Sequence, residues 1–406
     1  MSLDSSMKLR RMKFCDYMII PKTIKIITLE TVTGEGVMEP PFVYGRKVGR
    51  EHFADREDEL EKLKIAIMSG QNVIIYSPRR YGKSSLVNIA LEELGDRIYP
   101  IEVDCSGVLT KKELAEKISS AAIASWRGRI EEFLKKIFKV VRPKLLLGDR
   151  IEVEFLFGEE NTAFEEALQL PERLSQLTGK RVVVVFDEFQ EVSNLGRDVL
   201  PKMRSEFQKH RGVTYVFIGS KMGMMRYIFQ SPRSPFYNFG MHLSLKRIPK
   251  EKFRPFIAEK FRRSGLVVGD GLIDSILEIT RGHPHYTQML CYKLWLNAML
   301  AGNRKLSEKD LEKAEAEVLD ETSELFEEIW DSLTLNQRRI LVAIARGEKD
   351  FYSKDFLTRY GFKRASTVQA VIRSLREKEL IVKEGGKYLI ENPLFELWVI
   401  RTAGGH

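Results

Sequence analysis

The sequence predicts an α/β domain with a parallel sheet, followed by an all-α region and a winged helix. Two β-branched runs, residues 72–76 and 181–186, have the continuous apolar character of strands that are buried on both faces. The first run leads into a short loop and an amphipathic helix, as parallel strands with helical crossovers do. From about residue 249 the pattern is helical, and the chain closes with helices and a hairpin.

The composition is that of a globular chain with ample core material. The 406 residues are 43% hydrophobic and 30% charged, and this length predicts two or three domains. A net charge of +9 permits an anionic partner such as nucleic acid without requiring one. Three scattered cysteines indicate neither a disulfide framework nor a zinc site. They fit a reducing cytoplasm, and the absence of a bilayer-length apolar run predicts no membrane partner.

The N-terminal region gives the weakest pattern. Residues 1–48 are interpreted as an extension that contains two short strands and a linker rich in Gly and Pro. An amphipathic helix begins near residue 55, with Asp55 as its predicted N-cap and with Leu60, Leu63 and Ile67 on one face.

The segment 76–85, Tyr-Ser-Pro-Arg-Arg-Tyr-Gly-Lys-Ser-Ser, lies between the first strand and its helix. Strand, loop, Gly-Lys-Ser and helix are the context of a phosphate-binding P-loop, in which backbone N–H groups face the phosphates of ATP or ADP. Lys83 would reach the β- and γ-phosphates, and the Ser84 hydroxyl would bind Mg²⁺. Ser77 replaces the usual first glycine, and we expect the loop to tolerate it. The predicted nucleotide-binding residues of this loop are Ser77, Pro78, Arg79, Arg80, Tyr81, Gly82, Lys83, Ser84 and Ser85.

A strand over 97–104 and a helix over 111–124 are predicted next. An insertion follows, with a basic amphipathic helix over 126–141 and a hairpin over 145–157. The segment 164–177 is predicted as a further helix.

The run 181–186 ends in Asp187 and Glu188. Ligands of open α/β sheets bind at the carboxyl ends of the strands. Asp187 is therefore expected to bind Mg²⁺, and Glu188 to act as the general base for the attacking water. Another buried run, 212–219, ends in Ser220. Ser220 is a candidate for contacting the γ-phosphate or the water, and an ordinary strand end is the alternative.

Several of these motifs resemble those of the archaeal P-loop ATPases of the AAA+ and STAND groupings, which are related to archaeal origin-recognition proteins. The motifs are Phe-Ala-Asp-Arg-Glu-Asp-Glu-Leu at 53–60, the P-loop, and Asp-Glu-Phe-Gln at 187–190. The resemblance runs from about residue 53 to residue 400. It implies an AAA+-like sheet in which the P-loop strand is central.

The resemblance also implies roles for residues outside the P-loop. Asp55 and Arg56 would lie against the adenine, Ser220 would stand at the "sensor 1" position, and Pro284 would begin the helix that faces the nucleotide. The family arginine after the last core strand is missing, because residues 238–240 are Asn-Phe-Gly. Arg226 and Arg233 are weak candidates for an arginine finger.

The all-α region is predicted to form a lid on the nucleotide. Its helices are predicted over 252–263, 271–281, 284–301 and 307–330. His283 and His285 flank a proline without a third ligand, so a metal site is not favoured there. The acidic residues of 305–330 indicate a solvated face.

Helices over 335–346, 353–360 and 365–378, followed by a hairpin over 380–390, predict a winged helix. The second helix of its helix–turn–helix can lie in the major groove of double-stranded DNA. The side chains that would contact DNA are Lys363, Arg364, Gln369 and Arg373. The alternative is a winged helix that packs on its own ATPase domain and binds no DNA.

The sequence therefore predicts a Mg²⁺-dependent ATPase whose nucleotide state controls a winged helix, with DNA binding left open. We expect four segments: the extension 1–48, the core 49–248, the lid 249–330 and the winged helix 331–406. For such control, Ser220 or Arg281 is expected to contact the γ-phosphate. The alternative is a nucleotide-operated switch or scaffold with slow turnover, for a protein partner or a second copy of the chain. A kinase is the third candidate function, since the sequence indicates no second substrate site.

Overall fold

The structure is a computed structural model, and it describes residues 39–126, 144–147, 151–154 and 160–403. The chain divides into two compact units, Met1–Pro40 and Pro41–His406, and every element named below lies in the second. The strands expected before residue 39, and nearly all of the helix expected over 126–141, lie outside the described residues.

Five parallel strands form the central sheet, in the order β2-β5-β6-β1-β7. The strands in chain order are β1 (Val73–Tyr76), β2 (Ile98–Asp104), β3 (Lys144–Leu147), β4 (Ile151–Glu154), β5 (Arg181–Asp187), β6 (Val213–Gly219), β7 (Met241–Ser244), β8 (Ile381–Glu384) and β9 (Lys387–Ile390). The P-loop strand β1 lies between β6 and β7, so it is an interior strand, but the middle strand of the five is β6 and not β1 as expected. All carboxyl ends therefore meet at one edge, where open α/β sheets bind ligands.

Strand β5 shows why the apolar runs form this sheet. Val182, Val184 and Phe186 pack into the hydrophobic core on one face, and Val183 and Val185 pack into the core on the other. All five side chains are buried. Burial of each valine contributes about 1.5–3 kcal/mol, so the strand is fixed along its whole length. The acidic residues at its end are thereby held at a defined place.

Six α-helices belong to the described part of the sheet domain. They are α1 (Glu57–Ser69), α2 (Lys83–Leu94), α3 (Lys111–Ala124), α4 (Glu160–Thr178), α5 (Val199–Phe207) and α6 (Met222–Gln230). The antiparallel pair β3–β4 confirms the predicted hairpin in the insertion. The N-cap prediction for α1 was wrong, because the capping position is Arg56 and no side chain caps the helix. Asp55 and Arg56 both have positive φ, a turn that the sequence pattern does not reveal.

The helical region forms its own core after the sheet domain. Its helices are α7 (Lys250–Arg263), α8 (Asp270–Thr280), α9 (Pro284–Ala301) and α10 (Glu308–Asp331). Phe253, Ile273 and Leu290 are fully buried in a common cluster. Pro284 stands at the first position of α9, where its missing N–H costs nothing.

The C-terminal part contains the predicted winged helix with one helix more. Its helices are α11 (Leu335–Ala345), α12 (Lys354–Arg359), α13 (Ala365–Glu377) and α14 (Pro393–Ala403), and β8 pairs with β9 in the wing. Phe326 of α10 and Tyr286 of α9 belong to the same hydrophobic cluster as the winged helix. The winged helix is therefore packed against the lid. Among the described helices, none has the length and apolar character needed to cross a bilayer.

Candidate active site

The P-loop connects β1 to α2 through a turn with two left-handed residues, Arg80 (φ +67°) and Gly82 (φ +85°). Gly82 is the N-cap of α2, so free N–H groups of the first helical turn face the loop. Ser77 is fully buried and does not have a positive φ. The serine in place of glycine therefore adds no backbone strain at this position.

Lys83 is the buried cation of the site. Its ammonium donates to the carbonyls of Ser77 (2.9 Å) and Pro78 (2.8 Å). Burial lowers the pKa of Lys83 to about 8, although Glu188 and Asp187 act in the opposite direction. The two carbonyls hold the ammonium beside the loop. From there it can exchange these hydrogen bonds for ones to a phosphate.

Ser84 and Asp187 bring two hard oxygen ligands together. The Ser84 hydroxyl donates to Asp187 Oδ2 at 2.8 Å, and Asp187 Oδ1 accepts from the Glu188 backbone N–H at 2.9 Å. A hydroxyl and a carboxylate beside a phosphate site are the donor set that Mg²⁺ prefers. These two residues therefore fit the metal that the P-loop implies.

Glu188 is held by hydrogen-bond donors from Ser220, which follows β6, and from Gln190. Its Oε2 accepts from the Ser220 hydroxyl (2.8 Å), from the Ser220 backbone N–H (3.4 Å) and from the Gln190 side chain. Glu188 itself has φ +50°, a left-handed conformation that is costly for a residue with a side chain. A Cβ on Gly219 would lie only 2.6 Å from Gln190 Oε1, so this glycine makes room for the amide. Sequence reasoning gave Gln190 only a family resemblance and did not assign it to the site.

A cavity of about 410 Å³ lies beside the P-loop. Predicted residues that line it are Arg56, Arg79, Arg80, Tyr81, Gly82, Lys83, Ser84, Ser85, Asp187, Glu188 and Pro284. Predicted residues outside its lining are Asp55, Ser77, Pro78 and Ser220. Ser77 and Pro78 bind Lys83 through their carbonyls, Ser220 contacts Glu188, and Asp55 accepts from Lys252 at 3.1 Å.

The far wall of this cavity is not evident from the sequence. It includes residues 43–48, which the sequence pattern assigns to the extension, together with Phe53, Ile248 and Gln288. Gln288 Oε1 accepts from the Val43 backbone N–H at 3.2 Å, and its amide donates to the His52 carbonyl at 3.2 Å. The partners of Gln288 lie more than 200 residues away in the sequence, so no local pattern predicts these hydrogen bonds.

The P-loop also contacts the lid directly. The Tyr81 ring meets the His283 ring at 4.7 Å, and Arg80 donates to the Tyr286 hydroxyl at 3.1 Å. His283 Nε2 lies 3.1 Å from Glu391 of the winged helix, and burial lowers the pKa of His283. The P-loop is thereby connected to the winged helix through one imidazole.

Two further side chains join the winged helix to the rest of the chain. Arg247 donates to the carbonyls of Ile390 (3.3 Å) and Glu391 (2.9 Å). Arg281 forms a two-pronged ion pair with Glu396 of α14 and does not line the nucleotide cavity. The expectation that Arg281 contacts the γ-phosphate is therefore not supported, because its guanidinium is engaged elsewhere.

The side chains expected at DNA or at a neighbouring subunit lie on the surface. Lys363, Arg364, Gln369 and Arg373 are exposed on and before α13. Arg226 on α6 and Arg233 after it are also exposed, and neither lines the cavity.

Two known protein families match this chain. A family model described as "ATPase domain predominantly from Archaea" matches residues 53–290, which is more than half of the chain. The chain belongs to this family of archaeal ATPase domains. A second model, described as "Probable winged helix domain", matches residues 324–401. The family resemblance seen in the motifs is thus confirmed, and so is the P-loop fold with its C-terminal winged helix.

Solved structures of similar fold support the same architecture for this archaeal ATPase. The Walker-type ATPase paby2304 of Pyrococcus abyssi is 21% identical with a TM-score of 0.63, over 89% of this chain and 99% of that one. The ORC2 protein of Aeropyrum pernix is 14% identical with a TM-score of 0.53, over 92% and 98% of the two chains. A search of curated proteins found no match. Identities this low establish the shared fold alone.

Proposed function

We propose that the chain binds Mg²⁺·ATP and hydrolyses it with Glu188 as the general base. The observation that carries the proposal is the network around the two acidic residues of β5. Asp187 is bound to the P-loop serine, while Glu188 has one oxygen fixed by Ser220 and Gln190. Both carboxylates line the cavity, and their different partners support Asp187 as the metal ligand and Glu188 as the base.

Each residue has one task in this mechanism. The P-loop N–H groups and Lys83 bind and orient the phosphates. Ser84 and Asp187 would hold Mg²⁺, which when bound neutralises charge on the β- and γ-phosphates. Glu188 Oε1 takes the proton of the attacking water, because Oε2 already accepts from Ser220 and Gln190.

The test of this proposal is Glu188→Gln. The variant keeps the shape and loses the base, so turnover falls about 10²-fold or more while ATP affinity stays the same. Phosphate release measures turnover, and calorimetry measures affinity. Glu165→Gln is the control, because Glu165 is exposed and paired with Lys202 outside the cavity. Equal turnover in Glu188→Gln and the parent would refute the role of the base.

We also propose that the nucleotide state controls the winged helix. This is supported by the contact series from Tyr81 of the P-loop through His283 to Glu391. A nucleotide that moves the loop changes the contact at the imidazole and hence the docking of the winged helix. Scattering profiles and limited proteolysis with an ATP analogue, with ADP and without nucleotide test this. Identical results in all three states would favour a static scaffold.

DNA is the partner we propose for the exposed basic side chains around α13. Lys363, Arg364 and Arg373 make no ion pair with any residue that the structure describes, so they are available to phosphates. A partner protein is the second candidate, since the winged helix packs on its own lid. DNA affinity measured against salt distinguishes the two, because phosphate contacts give a steep salt dependence.

A further inference from the structure

Another cavity, of about 350 Å³, lies between the lid and the wing of the winged helix. Its wall comes from the segment that joins β7 to α7, from the end of α8 and from the two strands of the wing. Ile248 is the one lining residue that it shares with the nucleotide cavity. Sites for small molecules usually have about 300–1,000 Å³, so this cavity is large enough for a ligand of its own.

Arg247 is the buried cation of this cavity, and only 8% of its side chain is exposed. Its Nη2 donates to the carbonyls of Ile390 and Glu391. Its Nε and Nη1 have no hydrogen-bond partner among the residues that the structure describes. The Glu384 carboxylate forms an ion pair with Nε at 3.8 Å, which is too long for a hydrogen bond. Buried N–H groups of a charged side chain are costly to leave unpaired, so a ligand that accepts from them is favoured.

The other charged groups of the cavity also favour an anion. Lys250 and Arg281 line it together with Arg247, so three cations face one carboxylate, that of Glu384. Lys250 and Arg281 are already paired with acidic residues outside the lining, which leaves Arg247 as the side chain with unused donors. Helix α7 begins at Lys250, and no side chain caps its N-terminus. The positive end of that helix therefore adds to the attraction for an anion.

The rest of the wall is apolar. Ile248 and Leu277 are buried in the core of the lid, and Leu389 of the wing lies opposite the charged groups of the same cavity or beside them. Ligand sites commonly combine an apolar wall with a few polar groups that fix the orientation of the ligand. An inorganic ion would use the charged part of this cavity and leave the apolar part without a partner.

We propose that this cavity binds a small organic anion. Its phosphate or carboxylate group accepts from Arg247, and its apolar part packs against Leu277 and Leu389. Such a ligand contacts the lid and the wing together, so its binding raises the temperature of unfolding. None of the four charged residues that line the cavity also lines the nucleotide cavity, so the inference does not depend on the proposed hydrolysis.

The experiment measures the affinity of the full chain for phenyl phosphate, benzoate and benzyl alcohol by calorimetry. The first two probes carry the two candidate anionic groups on the same ring, and benzyl alcohol is the neutral control. At least one anion should bind about tenfold more tightly than benzyl alcohol, because a buried arginine gains a charged acceptor. The tighter of the two anions identifies the anionic group. Saturating ADP should leave these affinities unchanged, because the probes do not occupy the P-loop.

Two variants test the lining residues. Arg247→Met keeps much of the side-chain length and removes the donors, so the affinity for the anion should fall about tenfold or more. Lys250→Gln removes a charge that is already paired, so the loss should be about threefold. Arg254→Met is the matched control, since Arg254 lies on the same helix, pairs with Asp274 and does not line the cavity. It should bind the anion as the parent does.

The inference is overturned if the parent binds neither anion or binds benzyl alcohol equally well. Displacement of the anion by ADP would place it at the P-loop and would also overturn the inference. Thermal unfolding of each variant verifies that it is folded, and in the parent the anion should raise the melting temperature. Undiminished affinity in folded Arg247→Met refutes the site. If Arg247→Met does not fold, Lys250→Gln decides in the same way.

Discussion

The P-loop and the α13 surface both present positive charge to an anion, yet they do so in opposite ways. Lys83 is buried, donates to two carbonyls and faces acidic neighbours. Lys363, Arg364 and Arg373 are exposed, and they form ion pairs with none of the described residues. A buried cation interacts strongly and at one fixed position, whereas an exposed cation is screened by salt. Substitutions should therefore have large, local effects on ligand affinity at the P-loop and small, additive effects at the α13 surface.

The largest effect is expected for Lys83→Ala. Removing a buried charged partner of the phosphates should weaken ATP and ADP binding by about 100-fold or more. Calorimetry with both nucleotides measures this. Lys47→Ala is the control, because Lys47 lines the same cavity but is exposed and pairs with Glu102 at 3.6 Å. Comparable losses in the two variants would remove the distinction between buried and exposed charge.

Nucleotide affinity at the P-loop should also depend on pH. Lys83 has its pKa lowered to about 8 by burial, so its charged form prevails below pH 8 and is lost above it. Phosphates require the charged form, and ATP affinity should therefore fall by up to about tenfold per pH unit above 8. Calorimetry from pH 7 to pH 9.5 measures this fall. In Lys83→Arg the guanidinium stays charged, and affinity should not change over that range. A flat profile in the parent would contradict the expectation.

A smaller effect is expected for the donors to Glu188. Gln190→Leu and Ser220→Ala each remove a hydrogen bond to Oε2, so kcat should fall about tenfold with little change in KM. In the Glu188→Gln background neither change should lower the residual rate further, because the group they position is gone. Full additivity in the double variants would mean that Gln190 and Ser220 act independently of Glu188.

The smallest effect is expected at the exposed surface. Arg373→Ala should weaken DNA binding a few-fold at moderate salt and reduce the slope of log affinity against log salt by about one. Lys62→Ala on α1 serves as control, since Lys62 is also exposed but lies on another element. If the parent shows no salt-dependent affinity for DNA, a protein partner becomes the better assignment for the winged helix.

The parts of the site that could be read from the sequence are continuous along the chain. The P-loop occupies one strand–loop–helix segment, and Asp187 and Glu188 directly follow a buried run. The remaining parts come together only in three dimensions. Gln288 accepts from the Val43 backbone N–H, and Arg80 of the P-loop donates to Tyr286 of the lid, without any period or motif to indicate either contact. The N-cap role of Asp55 failed for a related reason, since positive φ at a non-glycine residue leaves no mark in the sequence.

The left-handed residues of the structure have a consequence for heat resistance. Seven non-glycine residues in the described part of the chain have positive φ. Three of them, Arg56, Arg80 and Glu188, line the cavity, and a fourth, Arg281, pairs with Glu396 of the winged helix. Each such residue costs about 1–2 kcal/mol relative to a right-handed one. Backbone strain is therefore concentrated at the cavity and at its contact with the winged helix. Warming the free protein should therefore loosen this region before the sheet, whose interior strands carry no such residue. A bound nucleotide counters that loosening, so the melting temperature becomes a measure of how fully the site is occupied.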